Sequence, residues 1–185
     1  MVKILVSAGH YPARPGARMG DFVEHFEAVT WRDLLVAELG DIAAPVPVGV
    51  LREKVAHINA AGATLAVEIH FNDAWRDRNG DGTVDDGEHV GRGSETLYYP
   101  GSDEGLALAE AVQAELSAVF PPNRGAKEGW YRMDPKFGPD FFLAKTRCPS
   151  VIIEPEFVAN AETIRSNRSS GIAVVARAIR GYLAS

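Results

Sequence analysis

The chain has 185 residues, 46% of them hydrophobic and 24% charged, with a formal net charge of −6; this balance suits one globular domain over 1–185 and excludes disordered and fibrous classes. Acidity of this size, with carboxylates gathered in 77–88, argues against a nucleic-acid partner, since phosphate backbones are held by concentrated Lys and Arg. The single cysteine, Cys148, excludes an intrachain disulfide, and no apolar run approaches membrane-spanning length, so no membrane insertion is expected.

The chain opens on a β-type run, Lys3-Ile4-Leu5-Val6, followed by Gly9 and His10. That run is too short for a secretory h-region, so the protein is expected to be made in the cytoplasm. After a Pro/Gly/Arg-rich loop over 11–20, Asp21 is placed to N-cap a helix running to about residue 39, with Gly40 as its stop. Residues 42–48 alternate Pro with apolar residues and suit an edge strand or extended connector, and 51–61 reads as a second helix. The segments 64–69, 93–99 and 150–154 read as strands. A long helix over 103–120 is stopped by Pro121-Pro122, and another closes the chain over about 161–183.

Alternating strands and helices predict an α/β fold: a single domain with a mostly parallel twisted sheet flanked by helices. Two stretches break the rhythm. Segments 73–92 and 123–147 are polar, Gly-rich and aromatic-bearing, as loops at functional rims are. Trp75, Trp130, Tyr131 and Phe137 lie in them and are candidates for stacking on sugar or peptide.

Three β-type runs end in or beside residues that zinc accepts: Ser7-Ala8-Gly9-His10, Ile69-His70-Phe71-Asn72 and Ile153-Glu154-Pro155-Glu156. If the runs are neighbouring strands, all three motifs meet at the C-terminal edge of the sheet, where open α/β folds place their sites. His10 and His70 supply two ligands, and Glu24 or Glu27, one helical turn apart, a third, with one position left open for water. Singly, each has an ordinary reading: a His behind a strand is most often structural, and a Glu at a helix start complements the dipole.

Segment 77–88 satisfies the EF-hand loop pattern at every defining position. Oxygens fall on Asp77, Asn79, Asp81, the Thr83 carbonyl, Asp85 through water and Glu88, with Gly82 at the sharp turn and Val84 at the apolar eighth position. Calcium is the cation such a set fits, and the insertion is expected to overhang the zinc site. The flanks do not read as the usual pair of helices.

Taken together and in order, these motifs resemble the zinc-dependent N-acetylmuramoyl-L-alanine amidases, over nearly the whole chain. The resemblance matches Ala8-Gly9-His10 to a Gly-His zinc motif and Glu24, followed by Val29, Trp31, Leu34 and Leu35, to the second ligand, with Glu27 as the alternative. Lys54, Asn59 and Glu68-Ile69-His70-Phe71-Asn72 reproduce the spacing of a basic residue, an Asn and a Ser-Ile-His-x-Asn motif. Gly93-Ser94-Glu95-Thr96-Leu97-Tyr98-Tyr99 and Pro149-Ser150-Val151-Ile152-Ile153-Glu154, with Phe157 and Asn160, match the remaining two hallmarks. The resemblance implies a catalytic acid/base role for Glu154 and peptidoglycan as substrate. Departures are Lys54 for Arg, Pro155-Glu156 for Thr-Gly, and Glu68 for Ser; Glu68 is expected to point away from His70 because strand side chains alternate.

The expected function is hydrolysis of the amide between N-acetylmuramic acid and L-alanine, by a monomer resembling a phage or prophage endolysin that reaches the wall after release from the cytoplasm. Alternatives are a cytoplasmic zinc amidohydrolase of small N-acylated amino acids, and a non-catalytic, calcium-dependent wall-binding module.

Overall fold

The structure, a computed structural model, describes residues 3–185. In chain order the strands are β1 (Ile4–Ala8), β2 (Arg18–Met19), β3 (Phe22–Val23), β4 (Ala43–Pro45), β5 (Leu65–Ile69), β6 (Ala74–Trp75), β7 (His89–Val90), β8 (Ser94–Tyr98), β9 (Asn123–Glu128) and β10 (Ser150–Glu154). The helices are α1 (Glu24–Leu39), α2 (Leu51–Ala61), α3 (Asp103–Val119), α4 (Phe141–Lys145) and α5 (Ala161–Ala184).

Six strands form one sheet in the order β4-β1-β5-β10-β8-β9. The first four run parallel, β8 is antiparallel to β10, and β9 is parallel to β8. Period-two alternation splits each central strand between two cores. Ile4, Val6, Val67, Ile69, Val151 and Ile153 pack with Trp31 and Leu35 of α1, Leu108 and Val112 of α3, and Ile172 and Val175 of α5. On the opposite face Leu5, Ala66 and Ile152 meet Val55 and Ile58 of α2 and Phe142 and Leu143 of α4. Burial on both faces is why these strands read as continuous apolar runs. Among the described residues no helix is long and apolar enough to cross a membrane.

Two elements differ from the sequence reading. The first helix begins at Glu24, not after Asp21, because residues 18–23 fold into the β2–β3 hairpin, with Gly20 at φ 55° in its turn and Phe22 buried. No side chain caps α1; the amides of Glu24 and His25 donate to the carbonyls of Ala17 and Pro15, so the preceding loop satisfies the free helix end. Segment 123–147 is not wholly loop either, since it contains β9 and α4. As an edge strand with Arg124 and Lys127 on it, β9 needs no apolar alternation, and charge there discourages further pairing.

The α1–α5 contact is set by Trp31, fully buried between the rings of Phe71 (5.6 Å) and Phe120 (5.9 Å). Gly171 of α5 makes room for it: a β-carbon there would lie 2.5 Å from Trp31 Cη2 and 2.8 Å from Phe120 Cε2. Replacing Gly171 by Val is expected to destabilise the fold by about 1–3 kcal/mol through overpacking, read as a lower urea midpoint at unchanged slope.

Candidate metal centre

The parallel alignment of β1, β5 and β10 brings their C-terminal ends into one row. Gly9 N donates to Ile69 O at 2.7 Å and His70 N to Ile153 O at 3.0 Å, so the three motifs are stitched together just beyond the strands. From α1, Glu24 reaches between the two histidines: its Oε2 lies 3.0 Å from His10 Nε2 and its Oε1 3.0 Å from His70 Nδ1. These three donor atoms lie within 4.8 Å of one another, and among the described residues they are the one such group of three or more His, Cys, Asp or Glu side chains. Two imidazole nitrogens and a carboxylate oxygen form a donor set that suits zinc.

The surroundings are shaped to this cluster. His10 adopts φ 57°, a backbone state that non-glycine residues seldom occupy. A β-carbon on Gly9 would come within 2.6 Å of the His70 ring, and one on Gly16 would lie 2.2 Å from Glu24 Oε2 and 2.5 Å from His10 Cδ2. Both glycines therefore let backbone close around the donors. Glu24 is further fixed by Phe71 N on Oε1 (3.1 Å) and Ala17 N on Oε2 (2.9 Å). Glu27, the alternative from sequence, is used elsewhere: it accepts Trp31 Nε1 and both Nε and Nη2 of Arg168.

Burial by itself would raise the pKa of Glu24, but hydrogen bonds from His10 and His70 outweigh it and hold the carboxyl well below the usual range. Burial likewise opposes a charge on His70, yet the bonds to Glu24 and Glu68 lift its pKa well above that of a free imidazole. The expectation that Glu68 points away from His70 is corrected: residues two apart on a strand share a face. Glu68 Oε2 lies 3.4 Å from His70 Nε2, while Oε1 accepts Ser7 Oγ at 2.9 Å and Lys54 Nζ at 3.3 Å. Lys54 Nζ also donates to the carbonyl of Ala8.

Glu154 ends β10 opposite Glu95 of β8. Glu95 is buried and neutralised, accepting Asn72 Nδ2 (2.6 Å), Arg124 Nε (3.0 Å) and Lys127 Nζ (2.6 Å). Glu154 has no such escort: burial first, and the nearby charges of Glu95 and Glu24 next, push it up to about 8 despite the opposing influence of His70 and Arg124. A cavity of about 200 Å³ opens at the histidines, lined by His10, Tyr11, Arg14, Leu51, Lys54, Glu68, His70 and Asp140. Asp140, which sequence reading passed over, is itself raised by burial and by the charge of Glu68; its only sequence signal is its place before the short helix α4. A larger cavity, about 500 Å³ between α2 and α4, holds none of these groups.

The remaining sequence candidates lie apart. Cys148 is half-buried and its thiol is pushed up to about 11 by burial, the opposite of an activated nucleophile. Asn59 binds Lys145 O and Arg147 N and joins α2 to α4. The 77–88 loop springs from the two-stranded ribbon β6–β7, not from helices, and Gly20 N donates to Asp86 Oδ1 at 3.0 Å, tying the loop to the hairpin before Glu24. Its acids are occupied by local amides: Asp77 accepts Gly80 N and Gly82 N, Asp81 accepts Thr83 N, and Glu88 accepts Arg78 N and Asn79 N. Trp75, Tyr131 and Phe137 are exposed, and the Tyr131 and Phe137 rings meet edge to face at 6.5 Å.

Residues 4–181 match the family model described as N-acetylmuramoyl-L-alanine amidase. No curated protein sequence matches the chain. Among solved structures, the fold is similar to an N-acetylmuramoyl-L-alanine amidase from Clostridium difficile 630, with TM-score 0.78 and 18% identity over 100% of this chain and 97% of that one. It is similar also to the amidase AmiC2 of Nostoc punctiforme (TM-score 0.78, 23% identity, 100% and 98% covered). The catalytic domain of CD27L, an endolysin targeting Clostridia difficile, aligns with TM-score 0.71 and 23% identity over 99% and 97% of the two chains. At these identities the structural likeness concerns the fold, whereas the family model spans nearly the entire sequence, and the chain belongs to the N-acetylmuramoyl-L-alanine amidase family of peptidoglycan hydrolases.

Proposed function

We propose that the protein is a zinc-dependent N-acetylmuramoyl-L-alanine amidase, with His10, Glu24 and His70 as the metal ligands and Glu154 as the catalytic acid/base. The observation that carries this reading is the meeting of two imidazole nitrogens and one buried carboxylate at the mouth of a cavity, beside a carboxyl pushed up to about 8. His10, Glu24 and His70 would hold the zinc ion, which would supply Lewis-acid polarisation of the scissile carbonyl and a water of lowered pKa, about 7. Glu154 would accept the proton of the attacking water and return it to the departing L-alanine nitrogen. A carboxyl that exchanges its proton near neutrality is suited to both halves of the task. The narrower parts of the reading are an endolysin role, supported by likeness to an endolysin catalytic domain, and calcium binding by Asp77, Asn79, Asp81, Thr83, Asp85 and Glu88, supported by the register of their oxygens.

Mass spectrometry of digested sacculi tests the activity. The zinc-loaded protein is expected to release intact stem peptides bearing a free L-alanine amine. Chelator treatment should abolish release, and Glu154→Gln should retain zinc yet lose about 10²–10⁴-fold in rate. Intact sacculi with zinc-loaded protein would move the assignment to a small N-acylated amino acid.

The state of Glu154 has a consequence for stability. A folded-state pKa of about 8 against an ordinary 4.5 means that, between those values, the folded metal-free protein keeps a proton that the unfolded chain has lost. This group therefore subtracts stability as pH rises through that window. Glu154→Gln removes the titration, so the metal-free variant is expected to lose less stability than wild type between about pH 5 and pH 8, measured by urea denaturation.

For the inserted loop, about 1 mM calcium is expected to raise the melting temperature of the wild type and not that of Asp77→Ala. Equal shifts in both proteins would remove calcium from the account.

A further inference from the structure

We infer that Glu68 is a positioning residue for His70, fixing the ring with its proton on Nε2 and presenting Nδ1 as the metal donor; this rests on the zinc reading proposed above. The two nitrogens of His70 face two carboxylates, Nδ1 toward Glu24 Oε1 at 3.0 Å and Nε2 toward Glu68 Oε2 at 3.4 Å. Nδ1 is the nitrogen turned to Glu24, the carboxylate of the three-residue cluster. An imidazole whose Nε2–H donates to Glu68 keeps an unprotonated lone pair on Nδ1, which is the form a metal requires.

Glu68 is itself held on every side. It is 2% exposed, and its other oxygen accepts Ser7 Oγ from the adjoining strand and Lys54 Nζ from α2. Ser7 and Glu68 are register partners on β1 and β5, so the sheet sets their distance. Lys54 also donates to the Ala8 carbonyl, just before Gly9 and His10, so one buried ion pair anchors the chain leading to both histidines. The Gly9 backbone lies against the His70 ring and leaves no room for a β-carbon, which restrains the ring plane. A shorter side chain at position 68 would leave Nε2 without this partner.

The test uses zinc alone as probe. Its affinity is measured by competition with a chromophoric chelator, and the His70 tautomer by long-range ¹H–¹⁵N spectra of histidine-labelled, zinc-loaded protein. Wild type is expected to carry the proton on Nε2. Glu68→Ser should weaken zinc binding about 10–100-fold, the usual effect of removing such an outer partner. Glu68→Gln keeps the shape and one acceptor oxygen, which turned toward Nε2 leaves its amide nitrogen facing Ser7 Oγ and Lys54; it should retain the tautomer and lose less affinity than Glu68→Ser. Wild-type affinity in both variants, or a wild-type ring protonated on Nδ1, would overturn the inference while leaving the zinc reading intact. Failure of the wild type to take up zinc would overturn the zinc reading and this inference with it.

Discussion

The structure of the site depends on one buried carboxylate. Glu24 faces His10 Nε2 and His70 Nδ1 with separate oxygens, each at 3.0 Å, and each oxygen accepts a bond from backbone, Phe71 N on one and Ala17 N on the other. These four contacts come from three segments: the loop after β1, the turn before the hairpin, and two successive residues after β5. A charge this deeply buried is tolerable only when its oxygens are satisfied, so the position of Glu24 requires all of those segments to be in place together. The fold delivers them by making β1 and β5 parallel neighbours and by starting α1 at Glu24 itself.

That start is not secured by local capping. Val23 offers no cap, and the helix N-terminus is finished by carbonyls of the Pro15–Ala17 stretch that also passes over His10. The tertiary anchors of α1 are remote. Trp31 packs against Phe71, immediately after His70, and Glu27 forms a two-point pair with Arg168 of α5. Packing on the helical layer and geometry at the cluster are thus one problem: a shift of α1 moves Glu24 relative to both histidines.

What sequence alone could resolve follows from where the information lies. The central strands were readable because both faces are buried, giving unbroken apolar runs in 64–69 and 150–154. β9 was not, since an edge strand with cations reads as polar loop, and the β2–β3 hairpin is too short to show a period. His10, His70 and Glu154 were legible because each follows or closes such a run. The choice between Glu24 and Glu27 was open because both sit in one helical turn, and what separates them is Arg168, 141 residues away from Glu27. Glu68 is a different case: it stands two residues before His70, where strand alternation puts both side chains on one face, so their proximity is legible from spacing alone. The roles of Glu95 and Asp140 lie in pairings across strands and loops that no local pattern records.

The acidic groups of the site divide by the company they keep. Glu24 has two histidines, Glu68 has Lys54 and His70, and Glu95 has Arg124 and Lys127. Glu24 and Glu68 are held in the ionised form against the cost of burial, because hydrogen-bonded cations offset it. Glu154 receives burial and the repulsion of Glu24 and Glu95 without a partner of its own, and it is pushed up to about 8. Carboxyls driven apart in this way are how a site assigns fixed charges and a mobile proton to residues of one chemical type. Glu24 and Glu68 hold fixed charge, and Glu154, with its raised pKa, is the carboxyl that fits the proton-carrying role proposed for it.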